Sequence, residues 1–410
     1  MVRLIVFIMI VTMVGVGFVW QDDIETFMNT TILGNERPVH DVTFDGGLSV
    51  HFISVGQGDA VVVEFPNGQI MIVDAGTNTI ASRNAFSHYL TSYIFPGNTP
   101  RVVDYFVATH SHADHIGAAS YLVNNYYVGH VIRPKSFTEY EITNNIPFTQ
   151  FGIVGRATRH STIIFRNFIQ DLNAATCVNG NPTAVTLPYV GREMNIGGAV
   201  VTFFSPIGQF YGNPANAYHT QNNPDPINQL STIFAIYFEG RRIMFTGDAY
   251  VANENAILAL RDVNGVLRTG FGTQAGETFK VDVLDVGHHG SHTSTGQPFL
   301  DKIQPTYAII QVGTNTHGHP HAPVMNRLNN ANVNILQTKE IGDILVQVSA
   351  TGQLKVAGVI HDDSFWIQYW MVAVGLTVII FLALFTVDFI GKKGGSNAPA
   401  QRKQTNNRRR

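Results

Sequence analysis

Apolar positions along the chain fall into two kinds of stretch. Near either end they run almost unbroken, and between the ends they come in short alternating or β-branched bursts separated by Gly, Asn and Pro. Such bursts are the mark of strands joined by turns. Residues 48–55 alternate as a strand, Gly56-Gln57-Gly58-Asp59 turns, and residues 61–65 return as a second strand. After Pro66-Asn67-Gly68, residues 70–73 give a third. Ala85, Phe86, Tyr89 and Leu90 recur at helical offsets, which predicts a helix over 82–94 packed outside the sheet. The run 102–108 reads as a buried strand, and a helix is expected over 118–124. From 135 to 198, isolated aromatics, Asn/Gly clusters and Pro182 suggest inserted loops. Further strands are expected at 199–205, 231–238, 243–245, 281–286 and 307–312, with helices at 251–260 and 325–330 and closing strands up to 359.

The end segments change the picture from a plain globular chain. Residues 1–20 carry one basic residue, Arg3, and then an apolar run that meets Asp22 and Asp23. That describes a secretory signal or signal-anchor, followed by a polar stem over 21–46. Residues 366–390 are apolar over the ~20 residues a helix needs to cross a bilayer. Trp366, Tyr369 and Trp370 stand at the start of this segment, where amphipathic rings favour the interface. The tail 391–410 holds Lys392, Lys393, Arg402, Lys403, Arg408, Arg409 and Arg410 and no acidic residue. The positive-inside rule makes this tail cytoplasmic and places the domain of residues 47–360 on the extracellular or lumenal side. Asp388 lies near the end of the span, within reach of the headgroups.

Charge then bears on the substrate. Setting aside Arg3, the seven basic tail residues and Asp388 from 26 basic and 29 acidic side chains leaves 18 against 28, a net charge of −10. An acidic ectodomain repels polyanions, so nucleic acid is disfavoured as a partner. Cys177 is the single cysteine, which excludes an intrachain disulfide.

The candidate chemistry centres on Thr109-His110-Ser111-His112-Ala113-Asp114-His115. The pattern H-x-H-x-D-H packs four metal-binding side chains into six residues at the end of a strand, and imidazole and carboxylate are zinc ligands. His110 and His112 can turn to one ion, while Asp114 and His115 face a second.

This motif, followed by Gly117, resembles the metallo-β-lactamase superfamily. His51 to Ala60, Ile72-Val73-Asp74-Ala75-Gly76, Thr246-Gly247-Asp248, Val286-Gly287-His288-His289-Gly290-Ser291 and Gly318-His319-Pro320 resemble one branch of it, the C-terminal domain of ComEC and its stand-alone relatives. The resemblance runs from about 48 to 359 and implies an α/β fold, the αβ/βα sandwich of two mixed β-sheets flanked by helices, here with terminal hydrophobic segments. It implies a bridging carboxylate at Asp248 and a ligand of the second ion at His288. Asp74 is expected to hold a ligand histidine or the loop backbone, and His289 and Ser291 to orient substrate or support the ligands. His319 is implied to face substrate, beside Asp114 as the catalytic pair. Many superfamily members carry another ligand histidine between the first cluster and the bridging aspartate. His130, His160 and His219 lie in that interval without a recognisable context, and the branch's Asn-rich segment is echoed by Asn228-Gln229-Leu230-Ser231.

The resulting expectation is a membrane-anchored hydrolase with two divalent ions, zinc or else manganese, acting on phosphodiester bonds through a dinuclear metal-bound hydroxide. A small or zwitterionic phosphoester suits the charge better than nucleic acid. The alternatives are hydrolysis of a lactone, β-lactam or thioester, and a non-catalytic surface binding module.

Overall fold

The computed structural model describes residues 46–97, 100–134, 156–205, 227–259 and 279–358. All lie in the first of two compact units, 1–359; the second, 360–410, lies outside the described residues. The expected signal or anchor over 1–20, the stem over 21–46 apart from Gly46, the span over 366–390 and the basic tail also lie outside them. Among the described residues no helix is long and apolar enough to cross a membrane.

The first half of the chain builds one sheet. β1 (Leu48–Phe52), β2 (Val61–Glu64) and β3 (Ile70–Val73) form an antiparallel meander. Helix α1 (Ile80–Tyr89) follows, its first turn capped by Thr79, whose hydroxyl accepts the Ser82 N–H at 3.1 Å. A π-helical turn, Leu90–Ile94, prolongs it, so the single helix expected over 82–94 is two pieces. β4 (Val102–Val107) runs parallel to β3 and ends at the histidine cluster, from which α2 (Ala113–Ile116) and α3 (Ala119–Asn125) lead to β5 (Tyr127–Ile132). α4 (Arg156–Ala174) and β6 (Ala184–Thr186) complete this half.

The second half builds the other sheet. β7 (Glu193–Ile196), β8 (Ala199–Phe203), β9 (Phe234–Phe238) and β10 (Arg241–Phe245) are antiparallel neighbours. α5 (Val251–Ala259), β11 (Val283–Asp285), α6 (Gln297–Ile303), β12 (Tyr307–Ile310), α7 (Ala322–Asn330) and β13 (Asn334–Gln337) alternate, and β10 to β13 pair in parallel. After α8 (Thr338–Ile341) the chain crosses back, and β14 (Ile344–Val348) and β15 (Leu354–Gly358) join the first sheet beside β1. The sheet orders are β15-β14-β1-β2-β3-β4-β5-β6 and β13-β12-β11-β10-β9-β8-β7. Both are mixed, as expected.

Three cores show the layering. Successive strand side chains point to opposite faces, so Val61, Val63, Met71 and Val73 pack between the sheets against Phe203, Phe234 and Phe245. Val62 and Ile72 face the other way, onto Phe86 of α1 and Phe168 of α4. On the far side Met244 and Leu284 pack on Ile257 of α5, Phe299 of α6 and Leu328 of α7. This is an αβ/βα sandwich.

Two expectations need correction. The stretch 135–198 holds regular structure in α4, β6 and β7; Phe165, Phe168, Ile169 and Leu172 lie at i, i+3, i+4 and i+7 and bury one face of α4. Neighbouring Asn and Gly residues hide that period. β9 begins at Phe234 rather than 231, because Ser231 and Thr232 are drawn out of the ladder. The Ser231 hydroxyl accepts the Asp248 N–H at 3.1 Å and the Thr232 N–H donates to the Thr109 carbonyl at 2.9 Å.

Candidate metal centre

The C-terminal ends of β3, β4, β10, β11 and β12 converge along one rim of the sandwich, and the polar side chains sit in the loops that leave them. Open α/β sheets bind ligands at this end of their strands. After β3 the chain turns through Asp74 at φ 57°, a left-handed conformation uncommon outside glycine. The Asp74 carboxylate accepts the Thr109 N–H at 2.7 Å, the Thr109 hydroxyl at 2.6 Å and His115 Nδ1–H at 2.7 Å. It therefore holds both the loop backbone and a ring of the cluster. Gly58 (φ 149°) lies where a Cβ would run into the Asp114 carbonyl, so the preceding loop can pack on the cluster only without a side chain there.

Two groups of donors share Asp248. Asp114, His115, Asp248 and His289 bring one donor atom each within 4.8 Å of one another, and so do His110, His112 and Asp248. Asp248 Oδ1 faces His115 Nε2 at 3.1 Å and His289 Nε2 at 3.7 Å. Its Oδ2 faces His110 Nε2 at 3.7 Å and His288 Nε2 at 3.4 Å. His289 Nε2 also lies 3.3 Å from Asp114 Oδ2. One oxygen thus serves each group, as a bridging carboxylate would.

The tautomers fit cation binding. Thr109 Oγ1 already donates to Asp74, so His110 Nδ1–H donates to that hydroxyl at 3.1 Å. His115 gives its Nδ1 proton to Asp74, and His289 gives its Nδ1 proton to the Gln311 carbonyl at 2.9 Å. Each ring therefore turns an Nε2 lone pair toward Asp248, the orientation that outer-sphere partners impose on ligating histidines. His115 Nε2 and Asp248 Oδ1 are both buried and carry no hydrogen bond, although they are 3.1 Å apart. Two lone-pair atoms at that separation need a proton or a cation between them, and imidazole with carboxylate is the donor set of zinc and manganese.

The electrostatics agree. Burial opposes charge on His115, yet Asp248, Asp74 and Asp59 raise its pKa well above the ordinary imidazole value. Burial likewise opposes charge on His289, and Asp59, Asp248 and Asp114 overcome it in the same direction. Burial would raise the pKa of Asp248, but His115, His288 and His289 take it well below the usual carboxylate range. His110 is pushed the other way, kept neutral by burial and by the neighbouring His115. The carboxylates that favour a proton at Nε2 of these two buried histidines equally favour a divalent cation in its place.

The geometry separates the paired histidines. His288 was expected beside Asp114 and His115, but His289 occupies that place. Both residues adopt left-handed backbone, φ 53° and 52°, which throws the two rings to opposite sides of Asp248. His289 is 2% exposed and faces Oδ1. His288, on the Oδ2 side, is anchored by Thr293 Oγ1 at 3.0 Å and approached by Asn228 Nδ2 at 3.4 Å. Ser291 takes the supporting place that was one of its two expected roles. It is buried, and its hydroxyl accepts the Thr293 hydroxyl at 3.0 Å, so it supports His288 through Thr293 instead of opening to substrate.

His319 sits half-buried at the mouth, its ring centroid 5.4 Å from His288 and 6.2 Å from His289. Burial, and then the surrounding histidines, press its pKa down to about 4. His130 stands away from the cluster, bonded to Thr186 Oγ1 at 2.8 Å. His219 and the side chain of His160 lie outside the described residues.

Sequence reasoning gave Asp59 no role, yet its carboxylate reaches His289 Nδ1 at 3.1 Å and His115 Nδ1 at 3.7 Å. Asp59, Asp74 and His115 form a third group of close donors. The signal available was the Gly58-Asp59 pair in a turn, a pattern that more often marks the turn alone.

The family model described as "Metallo-beta-lactamase superfamily" matches residues 53–158. The chain is 24% identical over 309 residues to ComE operon protein 3 of Bacillus subtilis (strain 168), covering 72% of this chain and 32% of that one. It is 39% identical over 120 residues to Recombination protein 2 of Haemophilus influenzae, covering 29% and 13% respectively. Against competence protein ComA of Neisseria gonorrhoeae it is 29% identical over 112 residues, covering 27% and 14%. The chain thus spans about a third or less of the length of these relatives.

Proposed function

For a chain that carries a metallo-β-lactamase superfamily domain and is related to ComEC-like competence proteins, we propose the role of a membrane-anchored, metal-dependent hydrolase of phosphodiester bonds. The observation that carries this reading is the division of Asp248, with Oδ1 turned to the His115 and His289 side and Oδ2 to the His110 side. A carboxylate shared in this way suits a dinuclear centre. Two divalent cations, when bound, supply Lewis acidity at two adjacent oxygens and water acidified to near-neutral pKa, the needs of in-line displacement at phosphorus.

His110, His112 and Asp248 would hold the first cation, zinc or manganese, with His288 next to them. Asp114, His115, Asp248 and His289 would hold the second. Asp74 and Asp59 keep the Nδ1 side of these rings occupied, so the Nε2 atoms stay aimed inward. His319, at the mouth, offers a ring N–H to a phosphoryl oxygen. Asp114, His288 and His319 are the part-exposed groups through which an ester would meet the centre.

The net charge of −10 outside the two ends favours a small or zwitterionic phosphodiester over a long polyanion. The apolar segment 366–390 and the basic tail after it support a bilayer anchor with the domain on the extracellular or lumenal side. Assaying the full chain on bis(p-nitrophenyl) phosphate and on nitrocefin, with and without chelator, tests the chemistry. Phosphodiester turnover that disappears with chelator and returns with zinc or manganese is expected. Nitrocefin hydrolysis with no phosphodiester turnover would overturn the proposal in favour of amide chemistry.

A further inference from the structure

We infer that Asn315 is the positioning residue that delivers His319 to the mouth of the site, a role that rests on the reading of that mouth as catalytic. The other site histidines beside Asp248 are aimed by their rings. His110 is held through Thr109, His115 through Asp74, His288 through Thr293 and His289 through Gln311, each at Nδ1. His319 differs, because its Nδ1 is buried and has no hydrogen-bond partner. No hydrogen bond aims its ring, so its orientation comes from the neighbouring rings of His317 and His321, 5.5 and 4.8 Å away, and from the backbone that carries it.

That backbone is organised around one side chain. Asn315 Oδ1 accepts the N–H groups of His317 and His319, both at 3.0 Å. Its Nδ2 donates to the carbonyls of Gly313 at 3.0 Å and His319 at 2.9 Å. The amide therefore grips His319 on both its N–H and its C=O, which fixes the peptide planes on either side of the Cα. The foot of the loop is fixed as well. Gly313 packs where a Cβ would strike Gly56 and Gln57, and its N–H donates to Gln57 Oε1 at 3.3 Å. Gln57 belongs to the turn that carries Asp59, so the loop bearing His319 is referenced to the same frame as the histidine cluster. Only a carboxamide supplies two acceptor and two donor contacts at this reach. Aspartate keeps the acceptor pair and loses the donor pair, and alanine loses all four.

The test compares the full chain with N315A, N315D, H319A and the N315A/H319A double variant. It measures bis(p-nitrophenyl) phosphate kinetics, bound zinc and the imidazole 15N spectrum, with His319 resonances assigned from H319A. Displacement of a group by about 1 Å can cost on the order of 100-fold in rate. N315A is therefore expected to lower kcat by about 10- to 100-fold with KM little changed and zinc retained, and to shift or broaden the resonances of His319 and its neighbour His317 while those of His110, His115 and His289 stay in place. N315D should fall between N315A and the parent. In the H319A background, N315A should cost nothing more. Should H319A hydrolyse at the parental rate while N315A still disturbs the His319 resonances, the positioning stands and the catalytic reading of His319 falls. An N315A chain with unaltered His319 resonances, or losses that multiply in the double variant, would overturn the inference.

Discussion

Asp248 Oδ1 and His115 Nε2 stand 3.1 Å apart, both buried at the rim of the sandwich, and neither atom has a hydrogen-bond partner. A buried polar atom left unpaired costs about 1–3 kcal/mol, so two of them face to face need a reason. A proton on His115 meets that need when no ion is bound, and a cation shared by the two, as proposed, would take its place. Asp248 comes from the loop after β10 and His115 from α2 after β4, so each sheet contributes one partner. Binding of the ion is thereby coupled to docking of the two sheets.

Removal of the ions should lower stability as well as activity. A ligand present at about 100 times its Kd contributes about 2.7 kcal/mol to the folded state. The chelated chain is expected to melt at lower temperature and to recover its melting point and its turnover together when zinc or manganese is returned. Differential scanning calorimetry beside the phosphodiester assay checks this.

His288 and His289 should differ in what they do to metal content. His289 faces Asp248 Oδ1 and Asp114, while His288 faces Oδ2 beside Asn228. H289A is expected to lose the second ion and most activity. H288A should keep the ion held by Asp114, His115 and His289 and weaken only its neighbour. Stoichiometry measured by elemental analysis on the two variants decides between this assignment and its reverse.

Asp59 should tune the second ion without touching it. Its oxygens lie 3.1 Å from His289 Nδ1 and 3.7 Å from His115 Nδ1. Loss of such an outer partner typically costs 10- to 100-fold in metal affinity, and D59N is expected to show a drop of about that size by competition with a chelating dye. Unchanged affinity would reduce Asp59 to a packing role.

Glu254 gives the fold a pH dependence apart from the centre. It is buried and accepts the N–H groups of Thr295 and Gly296 at 2.6 and 2.7 Å. Burial raises its pKa from 4.5 to about 7, against the pull of those N–H groups and Arg327. The folded form therefore binds this proton more tightly than the unfolded one. Its stabilising contribution is full below pH 4.5, fades as pH rises and is gone above about 7. One pKa unit is about 1.4 kcal/mol, so roughly 3 kcal/mol is at stake. Urea midpoints for E254Q should lose this slope between pH 5 and 7.

Much of the centre was legible because its residues are adjacent in the chain. The pattern from His110 to His115 announces two ions, and Asp248 follows a plain strand-and-turn sequence. The division of His288 from His289 was not legible, since it depends on two consecutive left-handed residues that no side-chain pattern encodes. Asp59 and Asn315 were hidden for another reason. Asp and Asn in Gly-containing loops usually serve the turn itself, and only the folded chain shows Asp59 meeting two rings drawn from different loops. In the fold, strands beside clear turns were readable, but α4 was obscured by its Asn- and Gly-rich surroundings and β5 by Gly129 and His130 within it.

X-ray absorption on the zinc-loaded full chain and on its D248A variant addresses the dinuclear centre most directly. Two metals sharing Asp248 should give about two equivalents of zinc and a metal–metal scattering path near the roughly 3.5–4 Å of two-metal hydrolases, with the path lost in D248A. A single equivalent with no metal–metal path in the parent chain, or an unchanged path in D248A, would contradict the shared-carboxylate centre.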